Sequence, residues 1–333
     1  MNHRVVKRTL NVSVLLCLVL ASSAVLGLFT GSTGQNPWEV LALITGRGDP
    51  DSVTASIIWR IRLPRVLLAS MIGATLSLGG LVFQTLLRNP IAEPYVLGIS
   101  GGSAVGAILG ILLGLSRFPG VASFAFAGSM LTLLLVVSIS SGQSSVRKDS
   151  LILAGVMVNA FCSSIIMFMV SLTRDSRLHN ILFWLMGDLS ITDQKQVLIL
   201  FGVLLPCFVV LFLFANSMNL LLMGEDMAAG MGVDVRLISL ALLGTTSLMV
   251  SATVCHSGLL GFVGLVIPHL LRLLFGADHR VLIPACVFGG AAYLVLCDLV
   301  ARTLPAHGEM PVGVVTAMIG APLFIFLLAK SRR

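Results

Sequence analysis

The sequence predicts an all-α membrane protein of about ten transmembrane helices, and two observations predict it. The first is composition: 57% of the 333 residues are hydrophobic and 11% are charged, with a mean hydropathy of +1.03. A water-soluble chain is nearer half apolar and a quarter charged, so apolar surface on this scale needs lipid as its solvent. The second is segmentation. A hydrocarbon core of ~30 Å takes about 20 apolar residues per helix. Such runs recur at roughly 10–30, 64–87, 95–115, 119–140, 150–172, 195–215, 236–256, 258–275, 281–303 and 312–330.

The first run follows Arg4, Lys7 and Arg8. Its apolar core is longer than a signal-peptide h-region and no small-x-small cleavage site follows, so it reads as a retained helix. The second opens on Arg60-Ile61-Arg62-Leu63-Pro64-Arg65. The third carries Gly98, Gly102, Gly106, Gly110 and Gly114, a spacing that puts them on one helical face for close approach to a neighbour. No strand precedes them, which argues against a phosphate-binding loop. The seventh and eighth runs are divided at His256-Ser257-Gly258. The ninth contains Asp298 with Arg302 four residues on, a spacing at which the two charges share a face and neutralise each other. A short recurrence, Gly80-Leu81-Val82 with Leu86-Leu87-Arg88 and again Gly264-Leu265-Val266 with Leu270-Leu271-Arg272, has the form of an internal repeat.

An even number of crossings puts both termini on one side. Both are basic, with Lys330, Arg332 and Arg333 at the end, and the positive-inside rule places them in the cytoplasm. That orientation leaves 12 of the 21 Lys and Arg inside and 9 outside. Four of the nine outward charges are Arg60, Arg62 and Arg65 before the second helix and Arg302 at the end of the ninth, which points to a function for them other than topology. The net charge of +7 is spread singly between apolar runs, the pattern of basic membrane anchors and not of a nucleic-acid surface. The six cysteines are dispersed with no CxxC pair and read as packing residues.

Two energy sources are argued against by what the runs lack. Ion-coupled transport needs intramembrane carboxylates, and Asp298 is the one acid well inside a run. Of the four lysines, Lys7, Lys148, Lys195 and Lys330, none lies in a GxxxxGK[ST] loop. There is no HExxH, and His256 and His269 stand apart, so no metal site, cofactor or enzymatic activity is expected of this chain. Energy from ATP would have to come from a partner, and the segment Ser217 to Asp234 has the features of its receptor. It holds two short helical stretches hinged at Gly224, with small and apolar residues suited to a groove on another protein.

These residues together resemble a known family, the iron-chelate and vitamin B12 permeases of the type II ABC importers, over nearly the whole chain. The resemblance is carried by Arg60 to Arg65; Gln84 with Arg88-Asn89-Pro90-Ile91-Ala92-Glu93-Pro94; Leu97-Gly98-Ile99-Ser100-Gly101-Gly102; Leu153-Ala154-Gly155-Val156; and Trp184-Leu185-Met186-Gly187. It continues through Gly224-Glu225, Gly261 to His269, Asp278-His279-Arg280, Asp298 to Arg302 and Pro311 to Thr316. It implies one permease domain over residues 1–333 in the inner (plasma) membrane and a homodimer with the cargo path between subunits. It also implies two cytoplasmic ABC ATPase subunits that carry ATP-Mg, and an external or periplasmic substrate-binding protein. By position, the ATPase would receive Leu221, Gly224, Glu225, Ala228, Ala229, Gly230 and Gly232. The binding protein's glutamates would meet Arg62, Arg65 and Arg302. A cytoplasmic gate would fall at Asn89, Pro90 and Ile91 and at Asp149 and Ser150, where Arg147-Lys148-Asp149-Ser150 is more charged than the family's small, hydroxyl-rich stretch. The cargo implied is a metal chelate: ferric siderophore or haem, with iron favoured, or cobalamin. An ion-coupled secondary transporter of a small organic solute is the alternative.

Overall fold

A computed structural model describes residues 3–31, 36–140, 148–173, 175–190, 192–305 and 308–331. Its order is α1 (His3–Phe29), α2 (Pro37–Ile44), α3 (Val53–Ser56), α4 (Leu63–Leu86), α5 (Ile99–Leu112), α6 (Ala122–Ser140), α7 (Lys148–Ser171) and α8 (Asp175–Leu185). There follow α9 (Gln194–Leu213), α10 (Ala215–Met223), α11 (Glu225–Gly230), α12 (Val235–Ser257), α13 (Val263–Phe275), α14 (His279–Thr303) and α15 (Val312–Ser331). A π-helical turn, Ile57–Arg62, fuses α3 to α4. Among the described residues every regular element is helical.

Seven of these helices are long and apolar enough to cross a bilayer, and α5, α13 and α15 supply three shorter apolar ones. The shortness of α5 and α13 has a local cause. Each is preceded by a residue in the left-handed region, Gly98 at φ 78° and Phe262 at φ 68°, which starts the helix late. Irregular backbone at membrane depth is tolerated only where protein covers it, and here the two irregular segments cover each other. The Leu260 amide donates to the Tyr95 hydroxyl at 3.2 Å, and α4 covers the first segment as well, with Pro94 3.1 Å from where a Cβ on Gly79 would lie. The seventh and eighth runs part where the sequence predicts, with Ser257 ending α12 and Gly258 at φ 70°.

The core is α4. From Ile72 onward its whole circumference is covered: Ile72, Leu76, Leu78, Leu81, Val82 and Phe83 are fully or almost fully buried. Glycine makes this possible at two crossings. A Cβ on Gly80 would overlap the Gly264 carbonyl of α13, and one on Gly73 would overlap the Gly290 carbonyl of α14. The two copies of the recurring Gly-Leu-Val therefore meet face to face at their glycines. With lipid as apolar as leucine, such backbone-to-backbone packing is what holds membrane helices together.

The glycine ladder of the third run divides. Gly102 and Gly106 face α6, where Cβ atoms would strike Gly128 and Phe124, and Gly110 faces the turn just before it, with Val121 3.1 Å from where a Cβ would lie. Gly98 and Gly114 fall outside α5 and instead take φ of 78° and 73° to begin and end it. The outer helices face lipid or partners: Leu153, Met157, Phe161, Met167 and Phe168 of α7 are each more than half exposed. Five cysteines are buried as expected of packing residues, while Cys17 is exposed on α1.

Candidate functional site

Three places gather the residues singled out above. The first lies at the start of the α4 span and the end of α14. Arg62, Arg65 and Arg302 come together there, but as buried groups at 3%, 4% and 4% exposure, not as free outward charges. The expected pair exists, with Arg302 Nε 3.0 Å from Asp298 Oδ2. It is one edge of a larger cluster. Arg65 Nη2 is 2.9 Å from Asp298 Oδ1, and Arg65 Nη1 is 2.5 Å from Glu309 Oε2. Arg62 Nη1 donates to the Leu28 carbonyl at 2.7 Å, and its guanidinium lies against Gly31, where a Cβ would come within 2.5 Å.

The reason for burial is chemical. A cation inside an apolar span is tolerable only when paired or hydrogen-bonded, so Asp298 is placed between two arginines and Glu309 closes the outer side. Among the described residues three guanidiniums and two carboxylates meet here, and all three arginines line a cleft of about 300 Å³ together with Gly31, Ile57, Ile61 and Glu309. Glu309, 32% exposed, is the cluster's most accessible charge. It was not legible in the sequence because it lies in the segment between α14, which ends at Thr303, and α15, which begins at Val312, where no helical spacing relates it to Asp298.

The second place is the loop between α9 and α12. Gly224 sits at φ 126° and ψ 149°, a conformation open essentially to glycine alone, and turns α10 into α11. The expected docking residues split in two. Leu221 and Ala228 point inward at 4% and 0% exposure, pinning both short helices to the bundle. Glu225, Ala229, Gly230 and Gly232 are exposed. The exposed surface is completed by Met223, Met227 and Met231, each more than half exposed, which the sequence reading passed over although their spacing of four was legible. Methionine adapts its shape to a partner better than branched residues do.

The third place is the segment after α4. Arg88 takes φ 47°, and Asn89 Oδ1 accepts from the Ile91 amide at 3.1 Å, forming a tight turn with Pro90 and Ile91 exposed. This turn is tied to the loop: Arg88 Nη2 is 3.8 Å from Glu225 Oε1. α7 packs along the continuation of the same segment, because Gly155 lets its backbone meet Val96 and Leu97. Ser150 is exposed at the start of α7; the side chain of Asp149 lies outside the described residues.

Elsewhere, Arg117 Nη1 reaches Asp188 Oδ2 at 2.7 Å. Burial would raise the Asp188 pKa, but Arg117 and the Ser190 hydrogen bonds prevail and hold it below the usual carboxylate range. Among the described residues no three metal-ligating side chains converge. His256 stacks on Phe118 and His269 meets the edge of Phe324.

Comparison with known proteins agrees with this architecture. The FecCD transport family matches residues 16–330. The chain is 39% identical over 292 residues, 86% of its length and 82% of the relative's, to YvrB of Bacillus subtilis (strain 168), an uncharacterized ABC transporter permease protein. It is 37% identical over 327 residues, 97% of both chains, to BtuC of Escherichia coli O9:H4 (strain HS), a vitamin B12 import system permease protein. A solved structure, described as an inward-facing conformation of a protein assigned to the metal-chelate type of ABC transporter, superposes with a TM-score of 0.86. It shares 33% sequence identity and covers 96% of this chain and 99% of that one. The chain belongs to the FecCD transport family and is a multi-pass membrane permease.

Proposed function

We propose that this permease is the membrane-spanning subunit of an ABC importer that carries a metal chelate inward across the inner membrane, a ferric siderophore or haem in preference to cobalamin. The observation that carries the reading is the Gly224 turn with its exposed Met223, Glu225, Met227, Ala229, Gly230 and Met231, in a chain whose family match runs almost end to end. A loop of that form, linked through Arg88 to the Asn89–Ile91 turn, suits transmission of an ATPase movement to a gate at Asn89, Pro90, Ile91, Asp149 and Ser150. ATP and Mg²⁺ belong to two partner ATPase subunits, and this chain binds no cofactor. The relatives' names, a vitamin B12 permease and a metal-chelate transporter, support the cargo class. The preference for iron rests on the commoner role in the family.

In this reading α5, α13 and α15 complete ten crossings with both termini cytoplasmic, two copies form the pathway, and an external binding protein docks over the arginine cleft. The three arginines lining that cleft favour an acidic side chain inserted from outside, with Glu309 moving aside. An ion-coupled mechanism has less to work with, because Asp298 is already committed to Arg65 and Arg302.

The test is substitution in the docking loop. Glu225→Arg is expected to leave the permease folded while separating ATP hydrolysis from cargo uptake, and deletion of Gly224 to Gly230, which also removes the buried Ala228, is expected to abolish coupled uptake. A variant that assembles with the ATPase and transports normally would remove this loop from the coupling path.

A further inference from the structure

One buried polar group has no place in the sites above. His279, the first residue of α14, is 0% exposed, and it touches two other elements. Its ring Nδ1 lies 2.7 Å from Asn219 Oδ1 on α10, and its backbone amide donates to the same oxygen at 2.9 Å. Its Nε2 lies 2.8 Å from the hydroxyl of Thr85, which is in the last turn of α4 and 1% exposed.

The orientation of this chain of bonds is fixed from its far end. Hydrogen bonds from the Arg280 side chain lead in pulling Asp278 down to a pKa of about 2, so its carboxylate only accepts. Asn219 Nδ2 therefore donates to Asp278 Oδ1 at 2.9 Å, its oxygen faces His279, and Nδ1 is the ring's donor toward it. Around these bonds α10 is held by Ala215, Met218 and Leu221, all buried, which resist separation but allow sliding. Hydrogen bonds are directional, and the Asn219–His279–Thr85 chain blocks the slide.

We infer that His279 is a positioning residue that pins the docking-loop helix α10 to the gate-bearing end of α4, so that α10, the start of α14 and the Asn89–Ile91 turn move as one body. The joint stands on the geometry alone; its consequence for transport rests on the importer reading above.

Two measurements test it. In the full-length chain in nanodiscs, on a Cys17→Ser background, spin labels at Asn216→Cys and Ile91→Cys report the distance from α10 to the turn. His279→Asn keeps a donor toward Asn219 and loses Thr85; Thr85→Val removes the hydroxyl without changing shape. Each should widen the distance distribution, and the double variant should be no wider than His279→Asn alone. This arm needs neither cargo nor ATPase, so its failure is distinguishable from failure of the transport reading. In the reconstituted complex, each variant should lower cargo moved per ATP hydrolysed by about three- to tenfold, the scale of one lost hydrogen bond, with ATP hydrolysis retained. Unchanged widths, or additive effects in the double variant, would overturn the pin. Widened distances with an unchanged ratio would overturn its role in coupling.

Discussion

Asp298→Asn is the substitution that asks most of the buried charge cluster. The wild-type carboxylate is 1% exposed and lies within 2.9–3.0 Å of nitrogens on both Arg65 and Arg302. The amide keeps the shape but removes the charge, leaving Arg302 against the backbone carbonyls of Gly27 and Asp298. Arg65 retains Glu309. Removing one partner of a buried ion pair costs about 3–5 kcal/mol, most of it the orphaned charge. The loss belongs at the lower end of that range, because Arg65 stays paired. Chemical unfolding of the purified permease in micelles reads this loss directly. Asp298→Asn combined with Arg302→Met should recover most of it, since the second change removes the orphan. An Asp298→Asn variant as stable as the wild type, or a double variant worse than the single, would refute the assignment of Asp298 as the cluster's neutralising centre.

Other outcomes follow from the same geometry. Gly80→Leu should separate α4 from α13 and prevent accumulation of folded protein, whereas Gly114→Ala, in open space, should cost only about 1 kcal/mol of left-handed strain; expression and thermal scans distinguish them. Arg62→Gln should weaken association of an acidic external binding protein and flatten its salt dependence, because one screened charge is lost; an unchanged affinity and salt slope would make Arg62 purely structural. Reporter fusions after Arg333 and within residues 31–58 should report opposite sides of the membrane; the same side for both would break the ten-crossing topology.

Much of this was legible in the sequence, because hydropathy and glycine act locally. Each of the ten apolar runs overlaps a helix, most of them to within a few residues, although α1 begins seven residues before the first run and α13 five residues into the eighth; the Gly224 hinge and the parting at Gly258 fall where the residues require them. What escaped depended on contacts distant in the chain. Arg62, Arg65 and Arg302 read as outward charges because charges before and after apolar runs usually are; Arg65 is buried against Asp298 and Glu309, 233 and 244 residues away, and Arg62 against the Leu28 carbonyl. Leu221 and Ala228 read as docking residues because a short helix does not announce which face it buries. Asn219 and Thr85 carried no signal of their own, and only the fold brings them to the two sides of His279.

The most direct test of the account is uptake of labelled ferric siderophores, haem and cobalamin by proteoliposomes that hold the permease with its ATPase and binding protein. The account predicts accumulation of one of these chelates that requires ATP on the ATPase side and the binding protein on the other, with an iron chelate taken up in preference to cobalamin. Uptake driven by a proton or sodium gradient without ATP, or no uptake of any chelate by an assembled complex that hydrolyses ATP, would contradict it.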